Sequence, residues 1–301
     1  MPSVSVIITT HSRPHLLPRA VESAQKAGTD VEVIVVDDAS TDETAEVCRN
    51  LKGIKYVRAE RNQRVAGARN LGILASTAEY ISFLDDDDVR LLGTLDEQVE
   101  ILNTNPEVGL VYGKMHTDSI NHVPTGRSFG AIADLEGDVF WDLLVYNFIP
   151  VMSAVFRKSC LYKVGLLDET IPGIDDYDLW VRIAELYQVR AIDKFVAIWR
   201  GPTPTSDQGS TNVRLWLLAA KIQKEKWLKL PRSLDESPGR RHKLRRKFLD
   251  HFSDALIWEG HDLLKQGYAD YARKKVLVGF QLQPLRAIRP WTIQLLFQTY
   301  C

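Results

Sequence analysis

Four short apolar runs in the first third of the chain, each followed by a helix-like segment, limit its fold more than any other feature. Val4 to Thr9, Val31 to Val36, Ile54 to Val57 and Tyr80 to Leu84 are rich in β-branched and bulky residues, so each reads as a buried strand. Leu16 to Ala27, the segment from Ser40-Thr41-Asp42-Glu43 to Leu51, Ala66 to Ala75 and Leu91 to Leu102 carry helical spacing. Strands that alternate with helices form βαβ units, and these build an α/β fold: a Rossmann-like, mainly parallel sheet flanked by helices. Such a sheet binds ligands outside the carboxyl ends of its strands. The polar residues collect there, as Thr9-Thr10-His11-Ser12-Arg13, Asp37-Asp38 and Asp85 to Asp88.

Asp85, Asp86, Asp87 and Asp88 follow the apolar run Tyr80-Ile81-Ser82-Phe83-Leu84 directly, so the strand end delivers several carboxylates to one spot. Carboxylates roughly 5 Å apart repel by about 0.8 kcal/mol per pair even in water, and by more where water is excluded. A hard divalent cation, Mg²⁺ or Mn²⁺, turns that repulsion into attraction and often shares its oxygen ligands with phosphates. A solvated acidic turn that caps the next helix is the simpler reading, but a cap needs one aspartate.

Asp37-Asp38 ends the second strand. A carboxylate there can accept a hydrogen bond from a uracil or thymine ring N–H, or from ribose hydroxyls. The simpler alternative is a buried Asp37 with Ser40 capping the following helix. Both can hold, because consecutive strand residues point to opposite sides. No Gly-x-Gly-x-x-Gly follows the first strand and no P-loop sequence occurs, which counts against dinucleotide and P-loop sites.

Further along, Val108 to Met115 and Ser153 to Phe156 read as strands, and Asp138 to Tyr146 and Tyr177 to Leu186 as helices. Gly201 to Asn212 carries glycine, proline and small polar residues and reads as a lid or linker; from Val213 the pattern is helical. The expected division is residues 1–200 as the sheet domain and 201–301 as the lid and a C-terminal helical appendage.

The 301 residues carry a formal net charge of -1, which argues against a nucleic-acid binder. Cys48, Cys160 and Cys301 are far apart and odd in number, so a reducing, cytoplasmic setting is expected. No signal peptide is expected, since Met1-Pro2-Ser3 offers no basic n-region and the apolar run behind it is too short, and no membrane span is expected, since no apolar stretch reaches 18 residues. Arg240-Arg241-His242-Lys243-Leu244-Arg245-Arg246-Lys247 has Leu244, Phe248 and Phe252 opposite its charges. It reads as the solvated face of an amphipathic helix, with peripheral contact to the inner face of a membrane as the alternative.

The ordered set Val4-Ser5-Val6-Ile7-Ile8-Thr9-Thr10, Val35-Val36-Asp37-Asp38-Ala39-Ser40-Thr41-Asp42, Ala68-Arg69-Asn70 and Phe83-Leu84-Asp85-Asp86-Asp87-Asp88 resembles the family 2 glycosyltransferases. Asp175-Asp176-Tyr177-Asp178-Leu179-Trp180-Val181-Arg182 resembles that family's acidic motif before a helix. The resemblance covers roughly residues 3–200. It implies a GT-A fold, a nucleotide-sugar donor and inverting transfer assisted by Mg²⁺ or Mn²⁺. Thr9, His11 and Arg13 would then lie at the nucleoside, Asp38 would face the base, and Arg69 would lie near the base or the diphosphate. Asp86 would face the donor ribose or sugar, while Asp85 and Asp87 would be the metal carboxylates, Asp87 in direct contact. His11-Ser12 stands where Tyr-Asn is common, and Arg64 where glycine is frequent, so stacking and loop backbone are expected to differ there.

By the same resemblance Asp176 would be the base that takes the acceptor proton, with Asp175 as runner-up and as the expected helix cap. Trp180 is expected in the core and Arg182 paired with Asp178 at i, i+4. The family's processive synthases carry Gln-x-x-Arg-Trp and membrane helices; this chain has neither, which points to addition of one sugar. A UDP- or dTDP-sugar is the favoured donor, and the acceptor is left open among glycan, lipid-linked and protein hydroxyls. The competing readings are an inactive nucleotide-sugar-binding protein and, with less support, a sugar nucleotidyltransferase. The second would be expected to show a glycine-rich loop after the first strand, which Thr10 to Pro14 does not provide.

Overall fold

The computed structural model describes residues 2–118, 124–130, 135–201, 212–286 and 289–300. The four apolar runs form β1 (Val4–Thr10), β2 (Val31–Asp37), β3 (Ile54–Arg58) and β4 (Tyr80–Asp85), joined through α1 (Leu17–Gln25), α2 (Thr44–Asn50) and α3 (Arg64–Ala75). The strands pair in parallel in the order β3-β2-β1-β4. Val6, Ile7 and Ile8 of β1 and Ile34, Val35 and Val36 of β2 are buried, as expected of strands covered on both faces. In α1 the residues Leu17, Ala20, Val21 and Ala24 recur at i, i+3, i+4 and i+7 and are all buried, while Pro18 sits in the first turn, where no N–H partner is lost. α3 lies close on β1 because Gly72 has no side chain; a Cβ there would overlap the Ile7 side chain.

The sheet continues through β5 (Val89–Arg90), β6 (Val108–Asp118), β7 (Pro124–Gly130), β8 (Val155–Arg157) and β9 (Gln188–Arg200) in the order β4-β8-β6-β9-β5, with β7 on β6. Here it is mixed: β8 runs antiparallel to β4 and β6, and β9 runs parallel to β6 but antiparallel to β5. In chain order the helices of this stretch are α4 (Thr94–Thr104), α5 (Phe140–Leu143), α6 (Leu161–Val164) and α7 (Asp175–Leu186). The helix expected from Asp138 to Tyr146 is thus a single turn, and the strand expected from Ser153 starts at Val155, after a 3₁₀ turn. Strand β9 escaped the sequence reading. Shifts in its pairing with β6 break the two-residue alternation that would have announced it.

One compact unit lies within residues 2–139 and 148–201 and holds the sheet; a second comprises residues 140–147 and the described residues from 212 on. The loop expected at Gly201 to Asn212 falls on residues 202–211, outside the described residues. The second unit contains α5 together with α8 (Leu215–Glu225), α9 (Pro231–Leu234), α10 (Pro238–Lys265), α11 (Ala269–Leu282) and α12 (Pro290–Gln298). Leu244, Phe248 and Phe252 of α10 are buried, with Phe252 stacked on Trp216 at 4.4 Å, while Lys243 and Lys247 face solvent. That is the amphipathic helix expected from the basic stretch. Among the described residues no helix is long and apolar enough to cross a membrane, and Cys48 and Cys160 are free and buried.

Candidate active site

The register of β1 places Thr9 beside Asp85 of β4 and Thr10 beside Asp37 of β2, so three strand ends meet at one edge. Asp37 is engaged by its own surroundings. Its Oδ1 accepts the Ser40 N–H at 2.8 Å, its Oδ2 accepts the Tyr56 hydroxyl at 2.8 Å, and Arg58 approaches to 3.6 Å. Ser40 does not cap α2, contrary to expectation. Its Oγ accepts the Ser12 N–H at 2.9 Å, and Asp42 instead accepts the Thr44 N–H at the start of that helix.

Asp38 points elsewhere, as the alternation requires. Its Oδ1 accepts the Gln63 N–H at 2.7 Å, and its carbonyl accepts from Nδ1 of His11 at 2.8 Å. Asp38 and His11, both assigned to the nucleoside, are therefore held together, and Thr9 lies partly exposed at the same edge. Three non-glycine residues in the surrounding loops have left-handed backbones: Ser12 at φ 53°, Ala39 at φ 59° and Arg64 at φ 63°. Each such residue costs roughly 1–2 kcal/mol, and strain of this kind gathers at sites where the surrounding structure fixes a loop. Arg64 thus has a left-handed backbone although it is not glycine.

The acidic run is surrounded by cations and donors. Asp86 accepts the Thr10 hydroxyl at 2.7 Å and Arg13 at 3.1 Å. Asp87 lies 3.2 Å from Arg13 and 3.7 Å from Arg200. Asp88 accepts the Arg200 N–H at 2.9 Å through Oδ1, while its buried Oδ2 has no hydrogen-bond partner among the described residues. Burial pushes the Asp86 carboxyl up to about 7 against the pull of Arg13 and Thr10, and burial with its acidic neighbours raises Asp88 well above the usual range. Burial, more than any lack of neighbouring cations, is what raises these carboxyls, and their all-oxygen donor set with one orphaned oxygen fits a hard divalent cation. Among the described residues no three His, Cys, Asp or Glu side chains form a ready cage.

Arg13 was assigned to the nucleoside on resemblance, and the structure sets it against Asp86 and Asp87. Thr10 and Arg200 were missed. Thr10 carried a usable signal, since it alternates with Thr9 at a strand end and must point to the opposite side. Arg200 carried none, because the end of β9 meets the acidic run only through the fold.

Arg69 of α3 joins the acidic run to α7. It is buried, donates to Asp85 at 2.9 Å and to Asp175 at 2.9 Å, and lies 5.2 Å over the Phe83 ring. Burial alone would lower its proton affinity, but Asp175 and Asp85 raise it above the ordinary value. Asn70, the next residue, donates to the Leu167 carbonyl and to Glu169, both at 3.0 Å, and so holds the loop that leads into α7. Asp175 is not the cap of that helix. Ile174 occupies the cap position without a side-chain bond, and Asp175 is engaged by Arg69. Asp176 is half-buried beside it, and burial followed by the Asp175 charge pushes its carboxyl up to about 7. Trp180 is core, as expected, packed 5.5 Å from Phe156 and 6.5 Å from Phe83, and Arg182 pairs with Asp178 at 2.8 Å.

The family model described as glycosyl transferase family 2 matches residues 5–162. The chain is 29% identical over 198 residues to an uncharacterized glycosyltransferase of Rickettsia felis, a match covering 64% of this chain but only 32% of that protein. It is 27% identical to the GalNAc(5)-diNAcBac-PP-undecaprenol beta-1,3-glucosyltransferase of Campylobacter jejuni, with 72% of each chain covered. In structure it is similar to S. aureus TarS 1-349 in complex with UDP-GlcNAc, with a TM-score of 0.60 at 16% identity, covering 99% of this chain and 89% of that one. That likeness gives the sheet and its helices a GT-A-like architecture.

Proposed function

This chain belongs to glycosyl transferase family 2, and we propose that it is a glycosyltransferase that moves one sugar, with inversion, from a UDP- or dTDP-sugar to an acceptor hydroxyl. The observation that carries this reading is the Arg69 bridge. One guanidinium holds Asp85 of the acidic run and Asp175, the neighbour of the candidate base, each at 2.9 Å. In this reading the proposed diphosphate site and the proposed base are tied together through that one side chain.

In this reading Asp176 accepts the proton of the acceptor hydroxyl while that oxygen bonds to the anomeric carbon. The bond from the anomeric carbon to the phosphate oxygen breaks, and the nucleoside diphosphate leaves with the electron pair. A carboxyl near 7 suits the task, since a base works best when its pKa lies close to the working pH. Asp38 and His11 would receive the base of the nucleotide, with Asp38 accepting the ring N–H. Asp87 and Asp85 would hold Mg²⁺ or Mn²⁺, which when bound offsets the charge of the leaving diphosphate. Arg13 adds positive charge on the same side.

The nucleotide in the TarS complex supports a UDP-sugar donor, and the name of the Campylobacter relative supports a glycan acceptor, lipid-linked included. The test is incubation with UDP-, dTDP- and GDP-sugars and Mn²⁺, with nucleoside diphosphate release measured in the presence of glycan acceptors. Release from UDP- or dTDP-sugars alone is expected. Release from none, with no nucleotide bound by calorimetry, would overturn the reading.

A further inference from the structure

We propose that Arg13 and Arg200 serve as internal counter-cations on Asp87, so that a divalent metal binds the acidic run weakly until the donor diphosphate draws these arginines away. The inference rests on the proposed donor chemistry and goes beyond it, because it concerns how binding of the two ligands is coupled.

Every carboxylate of the run already has a donor. Asp85 has Arg69 at 2.9 Å, Asp86 has Thr10 at 2.7 Å and Arg13 at 3.1 Å, and Asp88 has the Arg200 N–H at 2.9 Å. Asp87 has two cations, Arg13 at 3.2 Å and Arg200 at 3.7 Å. The four acids are not equivalent in what they would have to give up. Arg69 is 5% exposed and fixed between two acids, so it cannot leave without stranding Asp175. Arg13 is 37% exposed and Arg200 21%, so both can swing toward an incoming anion. A diphosphate at this edge offers a guanidinium the anionic oxygens it favours. The exchange then takes both arginines off Asp87 as the phosphate oxygens supply the remaining ligands.

An opposite charge within 4–6 Å shifts a carboxylate's affinity for a proton by about one to three powers of ten. Competition with another cation should be of the same order. The free protein should therefore bind Mn²⁺ weakly, and UDP should tighten it by about tenfold or more. Arg13→Gln and Arg200→Gln should each bind Mn²⁺ alone about tenfold more tightly than the unmodified protein. Arg13→Lys keeps the charge and should stay near the unmodified value.

Free Mn²⁺ is counted by electron paramagnetic resonance on the full chain, with and without UDP, and circular dichroism confirms the fold of each variant. The proposal stands if both glutamine variants tighten Mn²⁺ alone and shrink the gain from UDP, while Arg13→Lys does neither. It is overturned, with the donor reading intact, if the protein binds Mn²⁺ with UDP but the glutamine variants bind Mn²⁺ alone no better. If Mn²⁺ binds neither alone nor with UDP, the metal assignment falls together with this inference.

Discussion

Arg69 and Asp175 lie 2.9 Å apart across 106 residues of sequence, and the same guanidinium reaches Asp85 at 2.9 Å. A planar fork can serve two carboxylates at once, which a lysine cannot do with the same geometry. The pairing ties the end of β4 to the start of α7 in a buried position. Removing one partner of such a pair leaves an uncompensated charge, at a cost of about 3–5 kcal/mol.

Arg69→Ala should therefore lower unfolding free energy by about 3–5 kcal/mol, read from urea denaturation at neutral pH. A loss below about 1 kcal/mol, the scale of an exposed pair, would show that the bridge is not a structural tie.

Asp176→Asn should cut turnover by about 10²–10⁴-fold and leave nucleotide affinity nearly unchanged, because the base addresses the acceptor. The sign of the pH effect follows from the raised carboxyl. Below about 7 Asp176 is protonated and cannot accept, so kcat/KM should rise with pH and level off above about 7. A flat profile from mildly acidic to mildly basic pH would remove Asp176 from the role. Asp175→Asn should chiefly lower stability, since it takes the charge away from Arg69 rather than a cap away from α7.

Asp38→Ala should weaken UDP by at least tenfold, since a hydrogen bond to a charged group is worth about 1.5–3 kcal/mol. It also removes the Gln63 anchor, so the comparison needs GDP and ADP beside UDP and dTDP in calorimetry. The unmodified protein should prefer the pyrimidines. A preference for guanine would overturn the assignment of Asp38 to the base.

Gly72→Ala should destabilise the protein by about 1–3 kcal/mol, the usual cost of forcing extra atoms into a packed contact. The added methyl would meet Ile7 at the seam between α3 and β1. An unchanged melting temperature would mean that the helix slides away from the strand without cost.

The sheet's first half and its acidic edge were legible because their signals are local. Each of the first four strands is a continuous apolar run, and each polar cluster follows its run directly, so β-geometry alone carries the carboxylates to one edge. The amphipathic face of α10 was legible for the same reason, through Leu244, Phe248 and Phe252. Strand β9 was not, since its broken register with β6 leaves no clean alternation. The roles of Ser40 and Asp175 were misread because both stand near a helix start. Local rules favour capping there, whereas a partner elsewhere in the chain claimed each one: the Ser12 N–H for Ser40 and the buried Arg69 for Asp175.

The sequence by itself determined which residues could carry chemistry: the carboxylate run, the Asp37-Asp38 pair and the Asp175-Asp176 pair, each identified by residue type and position on an element. It also determined that the sheet's first half is parallel, because strand-helix alternation builds βαβ units; the order of those strands came from the structure. Only the tertiary structure decided which groups neutralise one another. It turned Arg13 and Arg200 onto Asp87, set Thr10 rather than Thr9 on Asp86, and buried Arg69 between Asp85 and Asp175. The physical reason is that charge pairing depends on distance through space and on exclusion of water. For residues more than a hundred positions apart, both are fixed by how β4, α3, α7 and β9 pack together.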